Sequence, residues 1–262
     1  MSSPLVEIQD LTKTYGEFVA VGHLTLAVQP GEILALLGPN GAGKTTTIRM
    51  LMGILSPTSG TATIAGHDCF AGRAQVMAQV GYLPDEPIFY DHLTGGEIVR
   101  FCGEMRGMRR DHTVARGREL AERLEIEDAL DDYAINYSMG MRKKLALLCA
   151  MLHRPAVLIL DEPTNGLDPF ATRSLLELIR ATAAEGAAVF YSTHLLPQAE
   201  KLATRIGILH RGRVVALGTL DELRGQLAPG ASLEDVFFQL APQGPDARRA
   251  APTATGEADA PA

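Results

Sequence analysis

Tryptophan is absent from the sequence, and only 6 Tyr and 8 Phe stand among its 262 residues. Cysteine is scarce too. Cys69, Cys102 and Cys149 are far apart with no CxxC pair, so neither a disulfide framework nor a zinc site is indicated, and they read as buried, reduced thiols of a cytoplasmic protein. A surplus of positive charge is also missing. With 24 Lys and Arg against 31 Asp and Glu the formal net charge is -7, which argues against a general nucleic-acid binder, because phosphate contacts need clustered cations. No hydrophobic run is long. Lys144-Leu-Ala-Leu-Leu-Cys-Ala-Met-Leu152 falls far short of the roughly 20 residues that span a bilayer, so any membrane role is expected to act through a partner. The start, Met1 to Asp10, has no basic segment followed by an apolar one, and no secretory signal is expected.

What is present is ordinary globular material. A hydrophobic fraction of 46% and a charged fraction of 21% suit one large domain, or a core with an inserted subdomain. Leu5-Val-Glu-Ile, Phe18-Val-Ala-Val and Leu24-Thr-Leu-Ala-Val read as strands between polar turns. Glu32–Leu37 and Ala156–Leu160 are continuous apolar runs, the pattern of strands buried on both faces of a parallel sheet. Between about Leu93 and Pro155 the pattern turns helical, with a capping box at Thr94-Gly-Gly-Glu97 and helical spacing through Leu120, Leu124 and Ile126. An amphipathic helix carries Leu175, Leu176, Ile179 and Ala183, and a strand Ala187–Tyr191 ends at Ser192-Thr-His194. Two strands turning at Arg211-Gly212 and a helix over Leu220–Leu227 follow. From about Pro242, Ala, Pro, Gly and charged residues dominate, and a disordered tail over 242–262 is expected. The alternation specifies an α/β fold whose ligand binds beyond the carboxyl ends of the strands, where all three polar clusters lie.

The chemistry is concentrated in those clusters. Gly38-Pro39-Asn40-Gly41-Ala42-Gly43-Lys44-Thr45-Thr46 fits the phosphate-loop pattern between a strand and a helix. Its glycines let backbone N–H groups wrap phosphates at the positive end of a helix, Lys44 reaches the β and γ phosphates, and Thr45 binds Mg2+. Asp161-Glu162 then supplies one carboxylate for the metal shell and one to polarise the attacking water. Ser138 reads as the N-cap of a helix through Leu145, Leu148 and Leu152, where hydroxyl, amides and dipole converge either as a plain cap or on an anion. The run Arg142-Lys143-Lys144 is expected to be a solvated helix face, or to add positive potential near the phosphates.

In this order the motifs resemble those of the nucleotide-binding subunit of ABC transporters, over essentially everything from about Leu5 to Leu240. Lys13-Thr-Tyr15-Gly16 resembles the loop whose aromatic residue stacks on adenine. Gly38–Thr46 and Val157–Glu162 resemble Walker A and Walker B, Asn165-Gly-Leu-Asp168-Pro169 the D-loop, and Ser192-Thr-His194 the switch histidine facing the γ phosphate. Tyr137-Ser138-Met139-Gly140-Met141 resembles the family signature, keeping its serine and second glycine. The family's usual glutamine falls at Asp85 in Gly81-Tyr-Leu-Pro-Asp85-Glu86-Pro87. Four readings stay open there: Mg2+ ligation by Asp85, substitution by Glu86, a joint to the partner, or an acidic surface turn.

The resemblance implies an α/β phosphate-loop NTPase core with a mainly parallel sheet, an N-terminal antiparallel β subdomain and an α-helical subdomain inserted at about 88–155, all within 1–241. It implies ATP and Mg2+ as ligands and Glu162, His194 and Lys44 as catalytic. Tyr15, the Gly38–Thr46 loop, Ser138, Gly140 and Asp168 are implied to hold nucleotide, with Thr45, Asp161 and Asp85 around the metal. The implied partners are an integral membrane permease and a second ATPase subunit, as homodimer or paired chain, on the cytoplasmic face of the membrane; nucleic acid is not expected. The short single motor chain resembles bacterial multidrug or ABC-2-type exporter subunits. The alternative is a soluble ABC-type ATPase acting on ribosomes or DNA, and a phosphoryl-transferring kinase would leave Ser138, Asp168 and His194 without purpose.

Overall fold

The computed structural model describes residues 3–225 and 232–241; the expected tail over 242–262 and the end of the helix expected over Leu220–Leu227 lie outside them. Strands β1 (Val6–Tyr15) and β2 (Phe18–Val28) form an antiparallel pair. The two strands expected at Phe18 and Leu24 are therefore one. The break at Gly22-His23 is a bulge, in which His23 (φ 54°) meets Asp10 (φ 50°) with Nδ1 2.7 Å from Oδ1. β3 (Ile33–Leu37) leads through the glycine-rich loop into α1 (Lys44–Leu51). Four short elements without a strong sequence pattern follow: β4 (Ser59–Ile64), β5 (His67–Asp68), α2 (Arg73–Gln79) and β6 (Val80–Leu83).

The helical stretch contains α3 (Gly95–Met105), α4 (Arg110–Arg123) and α5 (Met139–Met151). The expected capping box opens α3, with Glu97 N donating to Thr94 Oγ1 and Thr94 N to Glu97 Oε2. Helical spacing stops earlier than expected. Leu124 caps α4, Glu125 turns to φ 56°, and Ile126 packs into the core from beyond the helix. The chain continues as β7 (Val157–Asp161), α6 (Pro169–Ala184), β8 (Ala188–Thr193), α7 (Leu196–Leu202), β9 (Arg205–His210), β10 (Arg213–Gly218), α8 (Leu220–Gly225) and α9 (Leu233–Leu240).

Two sheets result. β2-β1-β4-β5 is antiparallel; β10-β9-β3-β8-β7-β6 is parallel except for its β10-β9 edge. Strands β3, β7 and β8 are buried at every position, and their alternation divides the side chains between two cores. Ile33, Ala35, Leu37, Leu158, Leu160, Val189 and Tyr191 face the core built with α5 and α6. Leu34, Leu36, Val157, Ile159, Ala188 and Phe190 face the core shared with α1 and the antiparallel sheet. Covering both faces is why these segments read as unbroken apolar runs.

Of the three thiols only Cys69 is buried, and burial pushes its pKa up to about 12. Cys102 on α3 and Cys149 on α5, remote in sequence, are partly buried, and the Cys149 thiol lowers the pKa of Cys102. His153, just past α5, has both ring nitrogens buried without a partner. Burial, with repulsion from Arg106, pushes its pKa from 6.5 down to about 4. Between those values an unfolded chain takes up a proton that the fold refuses, so stability should fall as pH is lowered through that window. Denaturant unfolding of wild type and His153→Gln between pH 7 and 4.5 measures this, and the variant should show the shallower loss.

Candidate active site

Strands β3, β8 and β7 lie side by side and parallel, so their carboxyl ends deliver three loops to one place. The loop after β3 is anchored by Gly38 N donating to the Thr193 carbonyl, 3.2 Å, and turns into α1 at Gly43 (φ 109°). Glycine is required there twice over. L side chains rarely adopt that φ, and a Cβ at Gly43 would stand 2.5 Å from the Ala20 carbonyl oxygen. Lys44 begins α1 almost fully buried, and its ammonium donates to the carbonyls of Gly38 (2.7 Å) and Pro39 (3.3 Å).

The ends of β7 and β8 face this lysine. Glu162 has φ 45°, the left-handed region, strained for a residue with a side chain. Its N–H donates to the carbonyl and the hydroxyl of Ser192, both at 3.2 Å. One carboxylate oxygen lies 3.3 Å from Lys44 Nζ and the other 3.0 Å from His194 Nδ1. The Ser192 hydroxyl also donates to Asp161. Burial raises the Asp161 pKa, while hydrogen bonds from Ser192 and Thr45 oppose that rise. Sequence reasoning treated Ser192 only as part of a motif; the structure makes it the clamp between both acids.

These groups border a cleft of 430 Å³ lined by Tyr15, the Asn40–Thr46 loop, Asp85 and Glu162, together with Phe18 and Arg49, which sequence reasoning missed. Tyr15 is not in a loop as expected. It ends β1, pairs with Phe18 across the turn at Gly16, and is half exposed, with Lys13 Nζ 5.2 Å from its ring centre. Phe18 carried a readable signal as the first aromatic residue of an apolar strand beside a glycine turn.

Seven predicted residues do not line the cleft. Gly38, Pro39, Asp161 and His194 adjoin it through bonds to Lys44, Ser192 and Glu162, whereas Ser138, Gly140 and Asp168 lie apart from that network. Ser138, exposed, caps α5 by accepting from Met141 N at 3.2 Å. Gly140 packs 3.4 Å, measured to an added Cβ, from Leu167. Asp168 caps α6, accepting from Phe170 N and Ala171 N at 2.8 and 3.0 Å, and these bonds lower its pKa.

The basic run on α5 corrects another expectation. Lys143 is not solvated: its side chain is 1% exposed. Arg142 reaches Asp91 at 3.3 Å.

Similarity to known proteins supports what the strand ends suggest. Residues 21–165 match the ABC transporter family. EcsA of Bacillus subtilis, an ABC-type transporter ATP-binding protein, is 35% identical over 237 residues, covering 90% of this chain and 96% of its own. The chain belongs to the ABC transporter family. It carries that family's ATPase domain. YbhF of Escherichia coli K12, a probable multidrug ABC transporter ATP-binding protein, is 35% identical over 240 residues. The chain covers 41% of YbhF, less than half of that relative's length. A solved ATP-binding subunit of an ABC transporter superposes with a TM-score of 0.85 at 37% identity, covering 90% of this chain and 99% of its own.

The site suits the ligands of such an ATPase. Thr45, in the first turn of α1, and Asp161, at the end of β7, are oxygen donors of the kind magnesium takes. Among the described residues no group of three or more His, Cys, Asp or Glu is arranged to hold a metal ion, so magnesium here would be shared with phosphate oxygens, its usual habit.

Proposed function

We propose that the chain is the ATP-hydrolysing motor subunit of a membrane exporter, working with magnesium as a dimer against a permease on the cytoplasmic face. The observation that supports this best is the Glu162 carboxylate at the end of β7, with Lys44 Nζ 3.3 Å from one oxygen and His194 Nδ1 3.0 Å from the other. In this reading the amides from Gly38 to Gly43 and Thr46 cradle the phosphates, Lys44 binds them, and Tyr15 stacks on the adenine. Thr45 and Asp161, with Asp85 in the cleft lining, would hold a magnesium ion, which when bound would neutralise phosphate charge. Glu162 polarises the attacking water and His194 orients the terminal phosphate.

Ser138 and Gly140 stand apart from the cleft lining, so they act on the nucleotide of a second copy, with Asp168 beside that junction. Closure of the dimer then moves the permease. No helix among the described residues is long and apolar enough to cross a membrane, so the translocation path belongs to the partner. The exporter assignment draws on the likeness to YbhF, whose name is that of a multidrug transporter protein.

The test is purification of tagged Glu162→Gln protein from detergent-solubilised cells with ATP present. A multi-spanning membrane protein should co-purify. Recovery of ribosomes or DNA-bound proteins alone would overturn the transporter reading.

A further inference from the structure

Lys143 is a buried cation whose three protons all have partners. Its ammonium donates to the carbonyl of Glu162 at 2.7 Å, to the carbonyl of Asn165 at 3.0 Å, and to Asp85 Oδ1 at 3.3 Å. An ammonium has three donors and no acceptor, so this set is complete. The acceptors come from two segments remote in sequence: the turn Glu162–Asn165 between β7 and α6, and the loop after β6 that carries Asp85. Asn165 closes the figure by donating from its side chain to the same Asp85 oxygen at 3.2 Å, and from its backbone to the Glu162 carbonyl at 3.1 Å.

The first of these bonds falls where backbone strain is stored. Glu162 holds φ 45°, and such a conformation persists only where its surroundings over-determine it. Ser192 grips the Glu162 peptide from the N–H side, and Lys143 grips its carbonyl. Between them they fix the direction in which the Glu162 carboxylate leaves the strand.

We propose that Lys143 is a positioning residue for hydrolysis, which holds the Glu162 backbone so that its carboxylate is aimed at the reacting centre, with Asp85 as its counter-ion. The proposal rests on the reading of Glu162 as the group that polarises water. It gives Asp85 a task distinct from ligating magnesium. It also ties α5, the helix that Ser138 caps, directly to the peptide of Glu162, so the placement of that helix is transmitted to the carboxylate.

Steady-state ATP hydrolysis by the full chain, with binding of a non-hydrolysable ATP analogue, tests this through four variants: Lys143→Met, Lys143→Met with Asp85→Asn, Glu162→Gln, and Glu162→Gln with Lys143→Met. Misplacing a reacting group by about 1 Å costs on the order of 100-fold, so Lys143→Met should lose about 10- to 100-fold in kcat, with KM and analogue affinity within about 2-fold of wild type. Removing the unpaired charge in the Lys143→Met, Asp85→Asn protein should restore thermal stability without restoring kcat. In the Glu162→Gln background, Lys143→Met should cost nothing further, because it acts through a group already lost.

Recovery of kcat together with stability in the Asp85→Asn double variant would reduce Lys143 to a structural ion pair and overturn the proposal. So would normal kcat in Lys143→Met while Glu162→Gln is inactive, an outcome that leaves the reading of Glu162 standing. Normal turnover in Glu162→Gln itself would overturn both.

Discussion

Glu162→Gln is expected to bind ATP about as well as wild type and to turn it over about 10²- to 10⁴-fold more slowly, the range for losing a positioned general base. The substitution preserves size and leaves the backbone anchors in place, since Ser192 and Lys143 hold the Glu162 peptide and not its carboxylate. What changes is the charge 3.3 Å from Lys44 and 3.0 Å from His194 Nδ1. Single-turnover hydrolysis, read beside analogue binding, separates the two effects. Because turnover is blocked and binding is not, ATP should also hold the variant as a dimer on size-exclusion chromatography. Wild-type turnover would remove Glu162 from the chemistry.

The second large effect is expected at Lys44. Lys44→Met should lower turnover by about 10²- to 10³-fold, as removal of one preorganised charge-stabilising donor does elsewhere, and unlike Glu162→Gln it should weaken nucleotide binding too. The ammonium is almost fully buried and also satisfies the Gly38 and Pro39 carbonyls, so the variant should lose about 1–3 kcal/mol of stability for each buried acceptor left unpaired. Lys44→Arg should not rescue, because a planar fork does not match acceptors that converge on a single nitrogen. Hydrolysis, analogue titration and denaturant unfolding on the same samples measure all three. Retention of affinity in Lys44→Met would show that the loop does not hold phosphate.

Much of the site was legible because its chemistry is local. The loop from Gly38 to Thr46 carries its own glycines, lysine and hydroxyls, and it follows a strand whose burial on both faces removes any polar alternation. The same holds for Val157–Asp161 and for Ala188–Thr193. The Thr94–Glu97 cap was equally readable, since both partners lie within four residues. Less visible were β4, β5 and α2, short elements that take their conformation from neighbours: β4 pairs with β1, some fifty residues away in the chain. The resemblance to an adenine-stacking loop sets Tyr15 outside a strand, yet pairing with Phe18 carries β1 to this residue.

Lys143 shows where reading by pattern stops. Within Arg142-Lys143-Lys144 nothing local distinguishes it, and a basic triplet on a helix is ordinarily solvated. Its burial goes with three acceptors supplied by two loops remote in sequence, one after β6 and one after β7. Ser192 is similar, a strand residue whose hydroxyl joins the Asp161 carboxylate to the Glu162 N–H at the end of the neighbouring strand.

The sequence by itself determined the strands of the parallel core, the phosphate loop, the two acids and the helix caps, because each depends on periodicity or on partners a few residues apart. Tertiary structure alone decided which strands are neighbours, and hence that β8 stands between β3 and β7 with Ser192 set against both acids and His194 against Glu162. It also decided that Lys143 is enclosed and that Ser138 lies apart from the cleft lining. Those relations join residues up to about 150 positions apart in the chain, and they arise from packing both faces of one sheet, which no local pattern encodes.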